Sequence, residues 1–157
     1  MSETRTFAVL VDNEPGVLAR VIGLFSGRGY NIESLTVTEV DDDANLSRIT
    51  IVTDGTTQVL AQIRNLLERL VPVHRVEDLT AAAEGRNMEP PVQRELALVK
   101  VVGAGDKRVE ALRIADIFKA ELVDTALGHL VFEIIGRKSH IDSFITLMIP
   151  LGLPELC

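Results

Sequence analysis

The stretch Asp12-Asn13-Glu14-Pro15-Gly16-Val17-Leu18 carries the residue types best suited to holding a ligand. It reads as a strand running into a helix. At a helix start the first N–H groups have no partner within the helix, and they carry the positive end of its dipole. Gly16 has no Cβ, so a ligand can come close to the backbone. The N–H groups of Gly16, Val17 and Leu18 can therefore receive a carboxylate. Asn13 offers both an amide donor and an acceptor, so it can cap the helix or receive an ammonium group. Capping alone also accounts for Asn13, and a helix with Gly in its first turn is common.

Other chemistries find less support. His74, His129 and His140 lie far apart in sequence, and Cys157 has no second cysteine at metal-ligand spacing. Asp41-Asp42-Asp43 lacks the spacing and the glycine of a calcium loop and reads as a solvated turn. Gly103-Ala104-Gly105-Asp106-Lys107 lacks the Gly-Lys-Ser/Thr ending of a phosphate loop. No catalytic residue and no metal site are expected.

The elements that must position the first stretch follow from periodicity. Thr4 to Val11 reads as a central strand, apolar on both faces. A helix runs from the Asn13 cap to about Arg28, with Val17, Leu18, Val21, Ile22 and Phe25 on one face, and Gly27 and Gly29 end it. Tyr30 to Val40 is a second strand with a bulge near Glu33-Ser34. Leu46 to Thr53 is a third, with Ile49 and Ile51 inward. A second helix carries Val59, Leu60, Ile63, Leu66, Leu67 and Leu70 at helical spacing, and Val71 to Leu79 forms a fourth strand, placed at a sheet edge by Pro72. This βαββαβ order is the ferredoxin-like split βαβ. Residues 81–92, with small residues, Gly85 and Pro90-Pro91, read as a linker between a first domain (1–80) and a second (93–157). The pattern then restarts: a strand from Glu95 to Val102, a helix from Lys107 to about Ala120, a hairpin about Gly128-His129, and a helix from Ser139 with Asp142 as its capping-box acid. The fold class is therefore α+β, two ferredoxin-like units, the second with its last strand short or missing.

Composition narrows the function classes. The net charge of −7 opposes a phosphate-backbone binder. The absence of Trp and the single Tyr leave few stacking platforms for nucleic acid. No apolar run reaches membrane-spanning length, and residues 1–5 hold no apolar targeting core. A lone cysteine fits a reducing cytoplasm.

The words of the first domain are more specific than its physics. Asn13 through Val21, then Gly23-Leu24-Phe25-Ser26-x-Arg28-Gly29-Tyr30-Asn31-Ile32-Glu33-Ser34-Leu35-Thr36-Val37, resemble the ACT-domain small regulatory subunit of acetolactate synthase, also called acetohydroxyacid synthase. Leu46-Ser47-Arg48-x-Thr50, and in the second half Arg94-Glu95-Leu96-x-Leu98-Val99-Lys100-Val101 and Asp142-x-Phe144, extend the resemblance. It implies a non-catalytic partner of a catalytic subunit that carries thiamine diphosphate, Mg and FAD and works in branched-chain amino-acid biosynthesis. It implies stimulation of that subunit and feedback inhibition by valine bound between two ACT domains of a homodimer. Matched by motif, Asn13, Gly16, Val17 and Leu18 supply the loop half of the site, and Asn31, Ile32 and Thr36 the strand half. Family members continue beyond Leu151-Gly152-Leu153 through a final strand and a tail containing Arg-Thr-Gly, whereas this chain stops at Cys157. Activation is thus less firmly implied than valine binding.

Readings of other classes make different demands. A stand-alone amino-acid sensor would use the same pocket. A small acylphosphatase-like hydrolase needs an arginine over the loop where Asp12 and Glu14 sit. An RNA-recognition module needs exposed sheet aromatics, and the central strands carry only Phe7.

Overall fold

The computed structural model describes residues 2–41, 43–85, 89, 91–152 and 155–156. The chain divides into two compact units, Met1–Pro91 and Val92–Cys157. In the first, strands β1 (Glu3–Asp12), β2 (Ser34–Asp41), β3 (Leu46–Gly55) and β4 (Val73–Asp78) form an antiparallel sheet in the order β2-β3-β1-β4. Helices α1 (Val17–Ser26) and α2 (Thr57–Glu68) connect β1 to β2 and β3 to β4. The second unit repeats the order: β5 (Glu95–Val102), α4 (Asp106–Phe118), β6 (Glu121–Thr125), β7 (His129–Gly136), α5 (Lys138–Gly152) and β8 (Glu155–Leu156), in a sheet β6-β7-β5-β8. The last strand is short but present, pairing with β5 at Val99 and Lys100. Gly152, with φ of 104°, makes the turn that brings it back; a side chain there would collide with the Val102 carbonyl.

Alternation along the strands decides which face is buried. Phe7, Val9 and Val11 of β1 and Ile49 and Ile51 of β3 are buried beneath the helices, while Ala8, Leu10 and Thr50 stay partly exposed. So β1 is closed fully on one face only, not on two. From α1 the sheet receives Val17, Val21 and Phe25, spaced one turn apart; Leu18 and Ile22 remain exposed. From α2 it receives Leu60, Ile63 and Leu67. In the second unit Val99, Phe132, Phe144 and Met148 form a separate core. Burying each such side chain contributes about 1.5–3 kcal/mol.

The structure corrects several boundaries. Asn13 does not cap α1: Gly16 occupies that position without any side-chain cap, and the Asn13 amide bonds elsewhere. The left-handed residue after α1 is Gly29, whereas Gly27 is right-handed. The second strand starts at Ser34, and its irregularity falls between Glu39 and Asp41. Lys138 already lies in α5 and holds Asp142 at 2.8 Å, so Ser139 is not that helix's cap. Part of the expected 81–92 linker is helical. A helix α3 (Leu79–Gly85) begins where the Asp78 carboxylate accepts the Ala81 N–H at 2.9 Å. The remainder of that stretch, 86–88 and 90, and Leu153-Pro154-Cys157 lie outside the described residues. Among the described residues no helix is long and apolar enough to cross a membrane.

Helix α3 guards an edge. β4 pairs with β1 only from Phe7 onward, and α3 packs where that pairing stops. Thr80 Oγ1 accepts the Thr6 N–H at 3.1 Å. Arg5 joins Glu3 at 2.8 Å and Glu84 at 2.9 Å, fastening the helix to β1. The hydrogen bond from Arg5, with a second from Thr57, holds the Glu3 carboxyl below its ordinary value of 4.5. A depressed carboxyl stabilises the fold above its unfolded pKa, and that contribution is lost as pH falls through the lower folded value. Acidification below about pH 4.5 is therefore expected to lower the protection of the Ala81 and Thr6 amides, taken relative to the intrinsic exchange rate at each pH, before the core opens. Arg5→Met should give fast exchange at both amides already at neutral pH; identical exchange in the two proteins at pH 7 would contradict the clamp.

Candidate functional site

The end of β1 and the loop after it are tied to β2, to the turn before β3, and to β4 and the residue ahead of it. The Asn13 N–H donates to the Asn45 carbonyl at 2.8 Å, in the turn before β3. The Asn13 side-chain amide donates to Glu39 Oε1 on β2 at 2.7 Å. Asp12, the last residue of β1, donates its N–H to Pro72 at 2.9 Å and meets His74 Nε2 of β4 at 2.6 Å. These ties fix the direction in which α1 starts. Gly16 completes the turn with φ of 88°, a left-handed conformation that costs a residue with a Cβ about 1–2 kcal/mol.

The N–H groups at this helix start are only partly used. Val17 donates to the Glu14 carbonyl at 3.3 Å. Gly16, Leu18 and Ala19 have no backbone acceptor among the described residues. The free donors are thus Gly16, Leu18 and Ala19 rather than Gly16, Val17 and Leu18. Val17 is buried and contributes packing, and Leu18 is exposed beside the donors. An anion placed over this turn meets three N–H groups and the positive end of a ten-residue helix.

Register identifies residues that spacing alone did not. Val11, Ser47 and Glu39 stand opposite one another across β1, β3 and β2, and Ser47 lies on the helix-covered face with Ile49 and Ile51. Glu39 therefore points toward the side on which α1 lies, which is why it reaches Asn13. Its second carboxylate oxygen has no partner among the described residues and can accept from an ammonium group. The Ser47 hydroxyl is buried without a hydrogen bond. The same alternation turns Thr36, opposite Thr50, to the face away from α1, while Val37, opposite Ile49, shares the face of Glu39. Two-residue alternation counted from Ile49 would have found both Glu39 and Val37.

Asn31 and Ile32 precede β2 rather than lying in it. The Asn31 carbonyl accepts from Thr53 Oγ1 at 2.5 Å, and its amide reaches Asp54 Oδ1 at 3.3 Å. This places them at the opposite end of β2 from the loop. Ser34 and Glu39 alone are separated by about 17 Å at ~3.4 Å per residue. Within one chain the two expected halves cannot touch one small ligand. No cluster of His, Cys, Asp and Glu able to hold a metal occurs among the described residues.

The βαββαβ unit with exposed N–H donors on a pinned loop and an adjoining carboxylate fits a domain of the ACT class. Comparison with known proteins agrees. Residues 7–75 match the AHAS small subunit-like ACT domain, and residues 94–157 match the small subunit of acetolactate synthase. A probable acetolactate synthase small subunit of Archaeoglobus fulgidus is 43% identical over 96% of this chain and 89% of its own length. The isozyme 3 small subunit of Escherichia coli is 43% identical over 90% of this chain and 82% of its own. The crystal structure of the Thermotoga maritima small subunit superposes with a TM-score of 0.83 at 31% identity, covering 99% of this chain and 92% of that one. The chain belongs to the acetolactate synthase small-subunit family, and its role is regulatory, not catalytic.

Two glycine substitutions test the account of α1. A Cβ at Gly16 would meet nothing within 4 Å, so the cost of Gly16→Ala is backbone strain, about 1–2 kcal/mol. Gly23 is mid-helix and equally open, so Gly23→Ala is expected to stabilise by about 1 kcal/mol. Urea titration should show midpoints moving in opposite directions; a shared direction would contradict the assigned helix start.

Proposed function

We propose that this chain binds valine at an interface between two ACT domains and so confers feedback inhibition on the catalytic subunit of acetolactate synthase. The observation that carries the reading is the separation just described. The loop half and the Asn31 half sit at opposite ends of β2, and β2 is an edge strand. Two β2 edges set antiparallel about a two-fold axis would bring the loop of one chain beside Asn31 and Ile32 of the other, twice. Neither site is complete without the second copy.

The flank of α1 supports this arrangement. One side of α1 carries Arg20 and Leu24 toward α2; the other carries Leu18 and Ile22 toward β2. Leu18, Ile22 and Val37 are exposed by 38%, 39% and 46%, an apolar strip beside an unpaired backbone edge. The ligand's carboxylate would take the free N–H groups at the start of α1. Its ammonium would take Glu39 and the Asn13 amide oxygen, and its branched side chain would lie against Ile32 of the partner chain and Leu18. Thiamine diphosphate, Mg and FAD belong, on this reading, to the catalytic subunit. Valine inhibits by favouring one of two arrangements of the complex. The chain works in the cytoplasm, where branched-chain amino acids are made.

Subunit complementation tests the shared site. Asn13→Ala and Asn31→Ala are each expected to weaken valine binding at least tenfold in calorimetry. A dimer mixed from the two variants should regain half of the unmodified stoichiometry, since one of its two sites then holds both native halves. Failure of the mixture to recover would place both halves within one chain. In the complex reconstituted with catalytic subunit, Asn13→Ala should shift the valine inhibition curve to higher concentration; an unshifted curve would remove Asn13 from the site.

A further inference from the structure

A groove of about 680 Å³ in the first unit does not lie at the start of α1. It runs between α1 and α2, along the stripe Arg20, Gly23, Leu24 and Arg28 on one wall and Leu66, Arg69 and Leu70 on the other. Leu24 and Leu70 pack on the core and floor the groove. A recess of about 230 Å³, reaching Tyr30 and Gln62, extends it and shares Arg28 and Arg69.

We propose that this trough docks an acidic amphipathic helix of the catalytic subunit. The proposal rests on the reading that the chain assembles with that subunit, and it names the surface used. Charge argues first. The chain carries a net −7, yet three arginines converge on this groove. Arg64, nearby on α2, is paired with Glu68, and Arg5 with Glu3 and Glu84. Arg20, Arg28 and Arg69 have no ion pair or side-chain hydrogen bond among the described residues. Three like charges around an apolar floor are completed by carboxylates from outside. Placement argues next: Arg20 on α1 and Arg28 just past its end line one wall of the groove, and Arg69 lines the other. Shape argues last. The trough is open along its length, whereas a metabolite site encloses most of its ligand. A helix laid between two helices uses such a groove. Gly23 keeps it open: a Cβ there would meet nothing within 4 Å, and Gly in mid-helix disfavours the helix relative to Ala, so the fold itself does not require it.

The test uses the full chain titrated with catalytic subunit at two salt concentrations. The triple variant Arg20→Glu, Arg28→Glu, Arg69→Glu is expected to lower affinity for the subunit at least tenfold and to flatten its salt dependence. Gly23→Leu, which fills the trough and leaves the arginines in place, should also weaken assembly. Valine binding and dimer mass should be unchanged in both. Unaltered subunit affinity in the triple variant overturns the proposal while leaving the valine site standing. Inorganic phosphate bound by the unmodified chain and lost in the triple variant, with subunit affinity unchanged, would make the groove a small-anion site instead. A chain that fails to bind the catalytic subunit at all overturns the regulatory assembly and this surface together.

Discussion

Strand β2 is paired on one side only, and that unpaired edge constrains the rest of the first unit. A strand edge presents N–H and C=O groups that need partners, and proteins either cover such edges or use them. The opposite side of this sheet is partly covered: β4 is short, Pro72 precedes it, and α3 packs where its pairing with β1 ends. The β2 side has no such cover. Beside it lie Leu18 and Ile22 of α1, apolar and exposed, and the strand itself exposes Val37 together with Glu39 and Asp41.

The loop that would meet a ligand there is held before any ligand arrives. Its position is set by the Asn45 carbonyl, Glu39, Pro72 and His74, and by its own continuity with β1. Ordering a loop is costly, so a loop already ordered binds with less loss. The turn also commits the Val17 N–H to Glu14, leaving neighbouring donors aimed outward. Val17 itself locks beneath the helix. Rigidity at this end of α1 means that a bound zwitterion would act on the arrangement of subunits rather than reshape the loop.

The βαββαβ order, the doubled unit and the buried faces were legible because alternation and helical spacing are local signals. What escaped them was set by neighbours in space. Asn13 is the right residue type for a helix cap, but the helix starts only after Gly16, and the Asn13 amide N–H group donates instead to Glu39, twenty-six residues away. The run Ala81 to Ala83 suggested a linker by its small residues, yet alanine favours helix, and Asp78 supplies the cap that starts one. Asn31 falls outside β2 because the Thr53 hydroxyl claims its carbonyl. Thr36 entered the expected ligand set by its words; strand parity puts it on the face away from α1, and Val37 and Glu39 on the face of α1. Motif matching finds the segment, and register decides which of its side chains share the face of α1. Phe7 and Phe132, the aromatics of the central strands β1 and β7, are both buried, which closes the stacking role that exposed sheet aromatics would need.

Helix α1 joins these findings. Its ten residues span about 15 Å, and each sector of its surface has a different neighbour. Val17, Val21 and Phe25 bind it to the sheet; Leu18 and Ile22 face the open edge; Arg20 and Leu24 border the trough beside α2. Its N-terminus lies at the loop after β1 and its C-terminal half at the cationic groove. On the proposed function, a shift of this short helix that suited a ligand at one end would displace the groove at the other. Coupling of that kind needs no chain of intermediaries, only two positions of one helix that ligand and partner weight differently. Any such coupling is reciprocal by thermodynamic necessity: a factor that a ligand imposes on assembly, assembly would impose on the ligand. A regulatory chain without catalytic residues can control an enzyme by this means alone, because what it contributes is a difference in free energy between two arrangements rather than a chemical step.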